Sequence, residues 1–217
     1  MMRLGKMRDD RAFSLVEMLT VIAIIAIIAG IVLGVMPGVM HKKTMARVQT
    51  ELTQLEAAID YYKQKHGFYP PDNPADSAKP QLFYELIGSR VEKKVGGEYY
   101  YPLNDEPRLS SIDISNTFGG SISKINGFFN SAEDAGEVKN FYSTIRRTQY
   151  KGLPANTNVM FFVVPAKGAG GSDFNPWRYV VAKPAGGTNP VNNSDSYDLW
   201  AEIVDGGRTN VIGNWKK

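Results

Sequence analysis

Few residues in this sequence have the type and spacing to do chemistry, and the first is a carboxylate in an apolar run. Glu17 heads "EMLTVIAIIAIIAGIVLGVM", Glu17 to Met36, whose other side chains carry no charge. At mid-bilayer such a group costs about 2.5–3.5 kcal/mol and so has a partner or a function. At the headgroup level, with Phe13 and Leu15 beside it, Glu17 costs little, and the position alone leaves both readings open. The two histidines, His41 and His66, are 25 residues apart, nearly 40 Å along a helix, and cannot share a metal. Without cysteine there is no thiol nucleophile, disulfide framework or CxxC site. Glu133 and Asp134 are adjacent, so a helix would point them to different sides. "KGAGGS", Lys167 to Ser172, lacks the lysine-serine signature of a phosphate loop and reads as a flexible hairpin loop. No P-loop, HExxH or GxSxG is present, so neither an enzyme nor a tightly held cofactor is expected.

The elements that position Glu17 are helical. Met18 to Met40 is 23 residues without a charge, enough at about 1.5 Å per residue to span about 30 Å of hydrocarbon. A secretory signal would have a shorter apolar core followed by an A-x-A-like site, and neither is found after Val39. Basic residues precede the span and "HKK", His41 to Lys43, follows it, so the charge bias is mixed. If the leader stays cytoplasmic, the bulk of the chain lies outside.

Beyond the span, Met45, Val48, Leu52, Leu55, Ile59 and Tyr62 recur at spacings of three and four, the stripe of one helix face. One helix from Phe13 to His66 is predicted, about 80 Å long. Its second half lies against a globular domain or, on the same pattern, pairs in a homodimeric coiled coil. Gly30, Gly34 and Pro37-Gly38 interrupt the middle, predicting a bend, a turn that melts during assembly, or a small-residue packing face. Gly67 supplies a C-terminal cap and Pro70-Pro71 stop the helix.

The formal net charge is +3. In the first twelve residues Arg3, Lys6, Arg8 and Arg11 oppose Asp9 and Asp10, which leaves the rest nearly neutral. A nucleic-acid partner is therefore not expected, because neutralising phosphates needs a basic stripe. At 217 residues the chain allows one globular domain plus an N-terminal element. A second, shorter helix is predicted over "QLFYELIGSRVEKK", Gln81 to Lys94, from Leu82, Phe83, Leu86, Ile87 and Val91. Gly96 to Gly152 reads as a long irregular excursion. Its aromatics, Tyr99 to Tyr101, Phe118, Phe128, Phe129, Phe141 and Tyr142, suit a core better than a binding surface, because so long an ordered segment needs something to bury. Val159 to Pro165, Trp177 to Lys183 and Tyr197 to Val204 are rich in β-branched and aromatic residues and predict three consecutive strands of one antiparallel sheet. The long helix covers one face of that sheet.

"AFSLVEMLTVIAIIAIIAG", Ala12 to Gly30, resembles the class III signal and first helix of type IV pilins and type II secretion pseudopilins. "GFYP" at Gly67 to Pro70 is similar to the block that ends the long helix in the major pseudopilins, and "NPWRY", "SYDLWAEIVDG" and "VIGNW" are similar to their C-terminal blocks. The similarity covers both ends of the chain and leaves about Asp72 to Gly171 unmatched. It implies cleavage by a prepilin peptidase between Ala12 and Phe13, methylation of the new amino terminus at Phe13, and a filament-assembly role for Glu17 against a neighbouring subunit's ammonium. Such a pair is strong in a low-dielectric bundle, where either charge alone is expensive. The family usually has glycine before the cut, where this sequence has Ala12. In those relatives a C-terminal loop holds calcium, and the matching positions are Asp205 and Asn210. One carboxylate beside Arg208 is a poor donor set for an ion that takes six to eight oxygens, and a turn closed at Gly206-Gly207 is the competing reading.

The resemblance implies an α+β, pilin-like fold: a long N-terminal helix, its first half transmembrane, packed on a small antiparallel sheet with an enlarged irregular middle. The expected organisation is a leader at 1–12, a transmembrane polymerisation helix at 13–40, its soluble half at 41–66 and a globular domain at 67–217. The expected function is that of a structural subunit of a type II secretion pseudopilus in the bacterial inner membrane, with the domain periplasmic. Its expected partners are copies of itself, other pseudopilins, the peptidase and an inner-membrane assembly platform. Two alternatives are a minor type IV pilin whose enlarged middle binds a ligand or surface at a filament tip, and an uncleaved membrane-anchored ectodomain, for which Ala12 is the sequence support.

Overall fold

The structure is a computed structural model that describes residues 14–118, 127–168, 171–182, 192–205 and 207–215; for residues 34–39 and 205 it describes the backbone alone. The chain divides into two compact units, Met1–Met45 and Ala46–Lys217. A helix, α1, runs over Leu15–His66. In the first unit Leu15–Leu33 is long and apolar enough to cross a membrane, and none of it is buried within the chain. A helix suits that setting because every backbone N–H and C=O in its interior is satisfied inside the segment. The helical backbone continues through Gly30, Gly34, Pro37 and Gly38, so these poor helix formers do not divide it.

In the second unit the apolar stripe of α1 is spent on the chain's own domain. Val48, Leu52, Leu55, Ile59 and Tyr62 are at most 2% exposed, which removes the surface a homodimeric coiled coil would need. The helix ends where expected. Gly67 takes φ +84, open to glycine at little cost, and its N–H reaches the Lys63 carbonyl at 2.7 Å. Two Asx turns then carry the chain through the proline-rich loop, with Asn73 Oδ1 accepting the Ala75 N–H and Asp76 Oδ1 the Ala78 N–H.

The predicted second helix is half right. Helix α2 covers Leu82–Ile87, all six residues buried, and stops at Gly88, whose φ is +82. From Ser89 the same stretch is extended: strand β1, Ser89–Lys94, forms a hairpin with β2, Gly97–Pro102. The apolar spacing continues across a glycine whose left-handed backbone ends the helix. β3 (Leu109–Ser110) and β4 (Ser131–Ala132) complete a sheet of order β3-β2-β1-β4, with α3 (Ser111–Phe118) following β3. The middle of the chain is thus more regular than expected.

The sheet predicted near the C-terminus is also rearranged. β5 (Tyr150–Leu153) and β6 (Asn156–Phe162) form a two-stranded antiparallel sheet. β7 (Arg178–Val181), β8 (Tyr197–Asp205) and β9 (Arg208–Gly213) form a three-stranded one. The strand expected over Val159 to Pro165 therefore pairs backward with β5. It touches the segment before β7 through a single bridge, Val163 to Pro176, and two flanking hydrogen bonds. The third place in that sheet is taken by β9, whose "RTNVIG" is too polar to announce a strand. From Leu199 onward β8 alternates, with Leu199, Ala201 and Ile203 buried and Trp200, Glu202 and Val204 half-buried, while at its start Tyr197 and Asp198 are both buried.

Most of the aromatics of the middle are core, as expected. Tyr100, Phe118, Phe128, Phe141 and Tyr142 are buried, and Tyr84 stacks on Phe128 with ring centroids 4.5 Å apart. The exceptions are Tyr99 and Tyr101, which are half-buried, and Phe129, which is 44% exposed. The architecture is α+β with a long N-terminal helix, as the sequence implies.

Candidate functional site

Ala12 and Phe13 lie outside the described residues, so the site begins at Ser14. Ser14 is the N-cap of α1: its hydroxyl accepts the Val16 N–H at 3.3 Å, and the Glu17 carboxylate reaches back to accept the Ser14 N–H at 2.9 Å. "SLVE" is therefore a variant of the capping box, with Ser14 on the N2 N–H and Glu17 on the N-cap N–H, satisfying backbone donors that a helix start leaves unpaired. The positive end of the helix dipole favours an anion there as well. Thr20, one turn on, donates its hydroxyl to the carbonyls of Val16 and Glu17 at 3.1 and 2.9 Å. Ser14, Glu17 and Thr20, which open the apolar run, thus each bond within their own chain. S-x-x-E is legible in the sequence, but a carboxylate in an apolar run points first to an external partner.

The C-terminal blocks are far apart in sequence and meet in the second unit. Tyr69 of "GFYP" accepts the Ser196 hydroxyl at 3.1 Å and packs its ring against Tyr197 at 5.0 Å. Pro70 offers its carbonyl to the buried Tyr179 hydroxyl at 2.9 Å. From "NPWRY", Asn175 Nδ2 donates to the carbonyls of Ala166 and Glu202, and Trp177 is 2% exposed. From "VIGNW", Asn214 acts as a piece of strand: its Oδ1 accepts the Leu199 N–H at 3.1 Å and its Nδ2 donates to the Tyr197 carbonyl at 2.9 Å. A Cβ at Gly213 would lie 2.7 Å from the Trp215 ring, so glycine lets that ring lie close over the backbone. These residues anchor the end of α1 and the last sheet to one another. Their chemistry is structural.

A buried carboxylate that composition did not flag ties α1 to the same domain. Glu85, 1% exposed on α2, accepts the Tyr62 hydroxyl at 2.9 Å and the N–H groups of Phe129 and Asn130 at 2.9 and 3.0 Å. Burial pushes its pKa up to about 7, against the lowering pull of those three donors.

At the positions matched to a calcium loop, the register of the β8–β9 hairpin sets Arg208 opposite Asp205 and Ile203 opposite Asn210. Gly207, at φ +79, closes the turn between the strands. Among the described residues no three or more His, Cys, Asp or Glu gather as a metal site. A cation directly across from Asp205 opposes a second cation there, so the residues present are a poor fit for calcium.

Comparison with known proteins gives three results. Residues 7–33 match the prokaryotic N-terminal methylation motif. The chain is 34% identical over 64 residues to the type II secretion system core protein G of Klebsiella pneumoniae, covering 30% of this chain and 46% of that protein. It is 34% identical over 65 residues to the protein of the same description from Vibrio cholerae serotype O1, covering 30% of this chain and 44% of that one. The chain thus spans less than half the length of the curated relatives it matches. No solved structure matches it.

Proposed function

We propose that this chain, a member of the type IV pilin and pseudopilin family by its methylation motif and its similarity to core protein G, is a structural subunit of a type II secretion pseudopilus. It is anchored by one pass in the bacterial inner membrane, with its N-terminus cytoplasmic and its domain periplasmic. A prepilin peptidase cuts between Ala12 and Phe13, Phe13 is methylated, and subunits polymerise through α1 with other pseudopilins on an assembly platform. The observation that carries this reading is Glu17, a carboxylate at the head of an exposed apolar span within the motif.

The capping box sharpens what Glu17 does. Before assembly the carboxylate already has a hydrogen-bond donor, the Ser14 N–H, at a helix start whose dipole favours an anion. An ammonium from a neighbouring subunit brings the counter-charge that a backbone N–H lacks, so the carboxylate exchanges a hydrogen bond to a neutral donor for an ion pair. Exchange of one donor for the other sets the stagger between subunits. The test is mass spectrometry of the mature N-terminus in membranes containing an active peptidase, paired with filament yield for Glu17→Gln. Glutamine keeps the cap acceptor and removes the charge. The expected result is a chain beginning at methylated Phe13 whose Glu17→Gln variant is processed normally and fails to assemble. A chain beginning at Met1 overturns the proposal, and normal assembly of the variant overturns the role of Glu17.

A further inference from the structure

The middle of the chain, which the family similarity leaves unmatched, carries two exposed surfaces of opposite charge. The first is a groove of about 530 Å³ beside β5 and the end of β6. Val163, Val164, Pro165 and Ala166 supply apolar lining, and Arg147, Lys151 and Lys167 line it with cations against one acid, Asp173. Arg147 lies over the Tyr150 ring and 3.6 Å from Glu106. Lys151 and Lys167 are exposed and carry no ion pair among the described residues. The groove is therefore cationic with unspent charge.

The second surface is the turn from Glu133 to Glu137. All five residues are exposed, and Asp134 caps the short 3-10 turn by accepting the Gly136 N–H at 2.8 Å. Glu133 meets Lys93 at 2.7 Å, but both side chains are about two-thirds exposed, a setting in which a pair is worth little. Ala135 and Gly136 form a small crest flanked by acids, a shape and charge that complement an apolar groove with a basic rim.

The two surfaces sit at different levels of α1. Thr148, in the groove, accepts a hydrogen bond from Arg47 at 2.9 Å. Lys139, two residues past the acidic turn, places its ammonium 4.4 Å above the Tyr61 ring. Arg47 and Tyr61 are separated by fourteen residues of one helix, about 21 Å along its axis. One chain cannot bring its own turn to its own groove. A second copy, parallel and displaced along the helix by about that distance, can.

We propose that the acidic turn Glu133–Glu137 of one subunit docks in the Arg147–Lys151–Lys167 groove of the next. The inference rests on the filament reading above and names a contact within it. The contact is heterologous, with different surfaces on the two partners, and a heterologous contact that does not close produces an open helical array. It gives the enlarged middle region a function: both halves of a subunit junction. Charge complementarity sets partner choice and register more than raw affinity.

The chain has no cysteine, so introduced ones report unambiguously. The experiment takes the full-length protein in membranes, with Ala135→Cys and Lys151→Cys made singly and together and treated with a short bis-maleimide. The expected result is a ladder of multimers from the double variant, a dimer when the two single variants are co-expressed, and none from either alone. In a second arm, Lys151→Glu with Lys167→Glu lowers the sedimenting multimer fraction of the cysteine-free chain about tenfold or more, and Glu133→Lys with Glu137→Lys in the same chain restores it; sedimentation is used because glutaraldehyde itself reacts with the lysines being exchanged. If the unmodified chain sediments as multimers while the double-cysteine variant gives no ladder, or if single variants link to themselves, this contact is wrong and the filament reading stands. If the unmodified chain gives no multimers in membranes where Phe13 is processed, both fall together.

Discussion

Glu85 is held by three donors from two places in the chain, the Tyr62 hydroxyl on α1 and the N–H groups of the adjacent Phe129 and Asn130. Its pKa is raised from an unfolded value of 4.5 to about 7, burial being the largest cause. Between those values the folded state holds a proton that the unfolded state has released, so stability is full below pH 4.5, falls as pH rises, and levels off above 7. The loss across the window is up to about 3 kcal/mol at 1.36 kcal/mol per unit. Denaturant midpoints at about pH 5 and about pH 8 are expected to differ in that sense, and Glu85→Gln to flatten the difference, since an amide cannot ionise. A variant that keeps the full slope assigns the pH dependence elsewhere. Neither this residue nor the capping role of Glu17 emerged from the sequence. "FYELIG" shows a glutamate in a helical pattern, and only the tertiary path of residues 128–130 makes it buried. The S-x-x-E at Ser14 to Glu17 is in plain view and is masked by a more conspicuous feature of the same residue.

The stripe from Val48 to Tyr62 is legible at the scale of elements because a period of three and four residues is a property of the helix itself, with no distant partner required. The α2–β1 junction is not, because helix and strand meet at one residue. Gly88 sits at φ +82, and a Cβ there would lie 2.4 Å from Val138 Cγ1 and 3.0 Å from Asn130 Nδ2. Asn130 in turn donates to the carbonyls of Glu85 and Lys139. Gly88→Ala is therefore expected to cost about 2–4 kcal/mol, combining left-handed strain with displacement of that network. The check is equilibrium unfolding of the variant against Gly96→Ala, a control with a positive φ of +109 and nothing within 4 Å of its Cβ. Equal losses at the two sites would show that backbone strain alone is at work. β9 is illegible for a different reason: four of its six residues are polar or glycine, and its register comes from β8 and from Asn214, not from its own pattern.

Two ways of occupying the α1 stripe compete at the scale of the molecule, and they make opposite demands on a fragment. The stripe residues from Val48 to Tyr62 are nearly inaccessible within Ala46–Lys217, and fully burying one such side chain contributes about 1.5–3 kcal/mol. Five of them together match the whole net stability of an ordinary domain, about 5–15 kcal/mol. A fragment starting at Ala46 keeps this helix and is expected to unfold in one cooperative transition and to sediment as a monomer at micromolar concentration. A fragment starting at Gly67 exposes the face that the stripe covered and loses the Tyr62 hydroxyl from Glu85, so it is expected to give no cooperative transition. Had the stripe served a coiled coil, the outcomes would reverse, with the longer fragment dimeric and the shorter one stably folded. The sequence could predict that something covers the stripe. Whether that cover is the chain's own domain or a second copy depends on contacts with residues up to a hundred positions away, such as Gln54 with Tyr142 and Arg47 with Thr148, and no local periodicity encodes those. Sedimentation and unfolding of the two fragments therefore test whether the second half of α1 is a structural part of the domain that follows it.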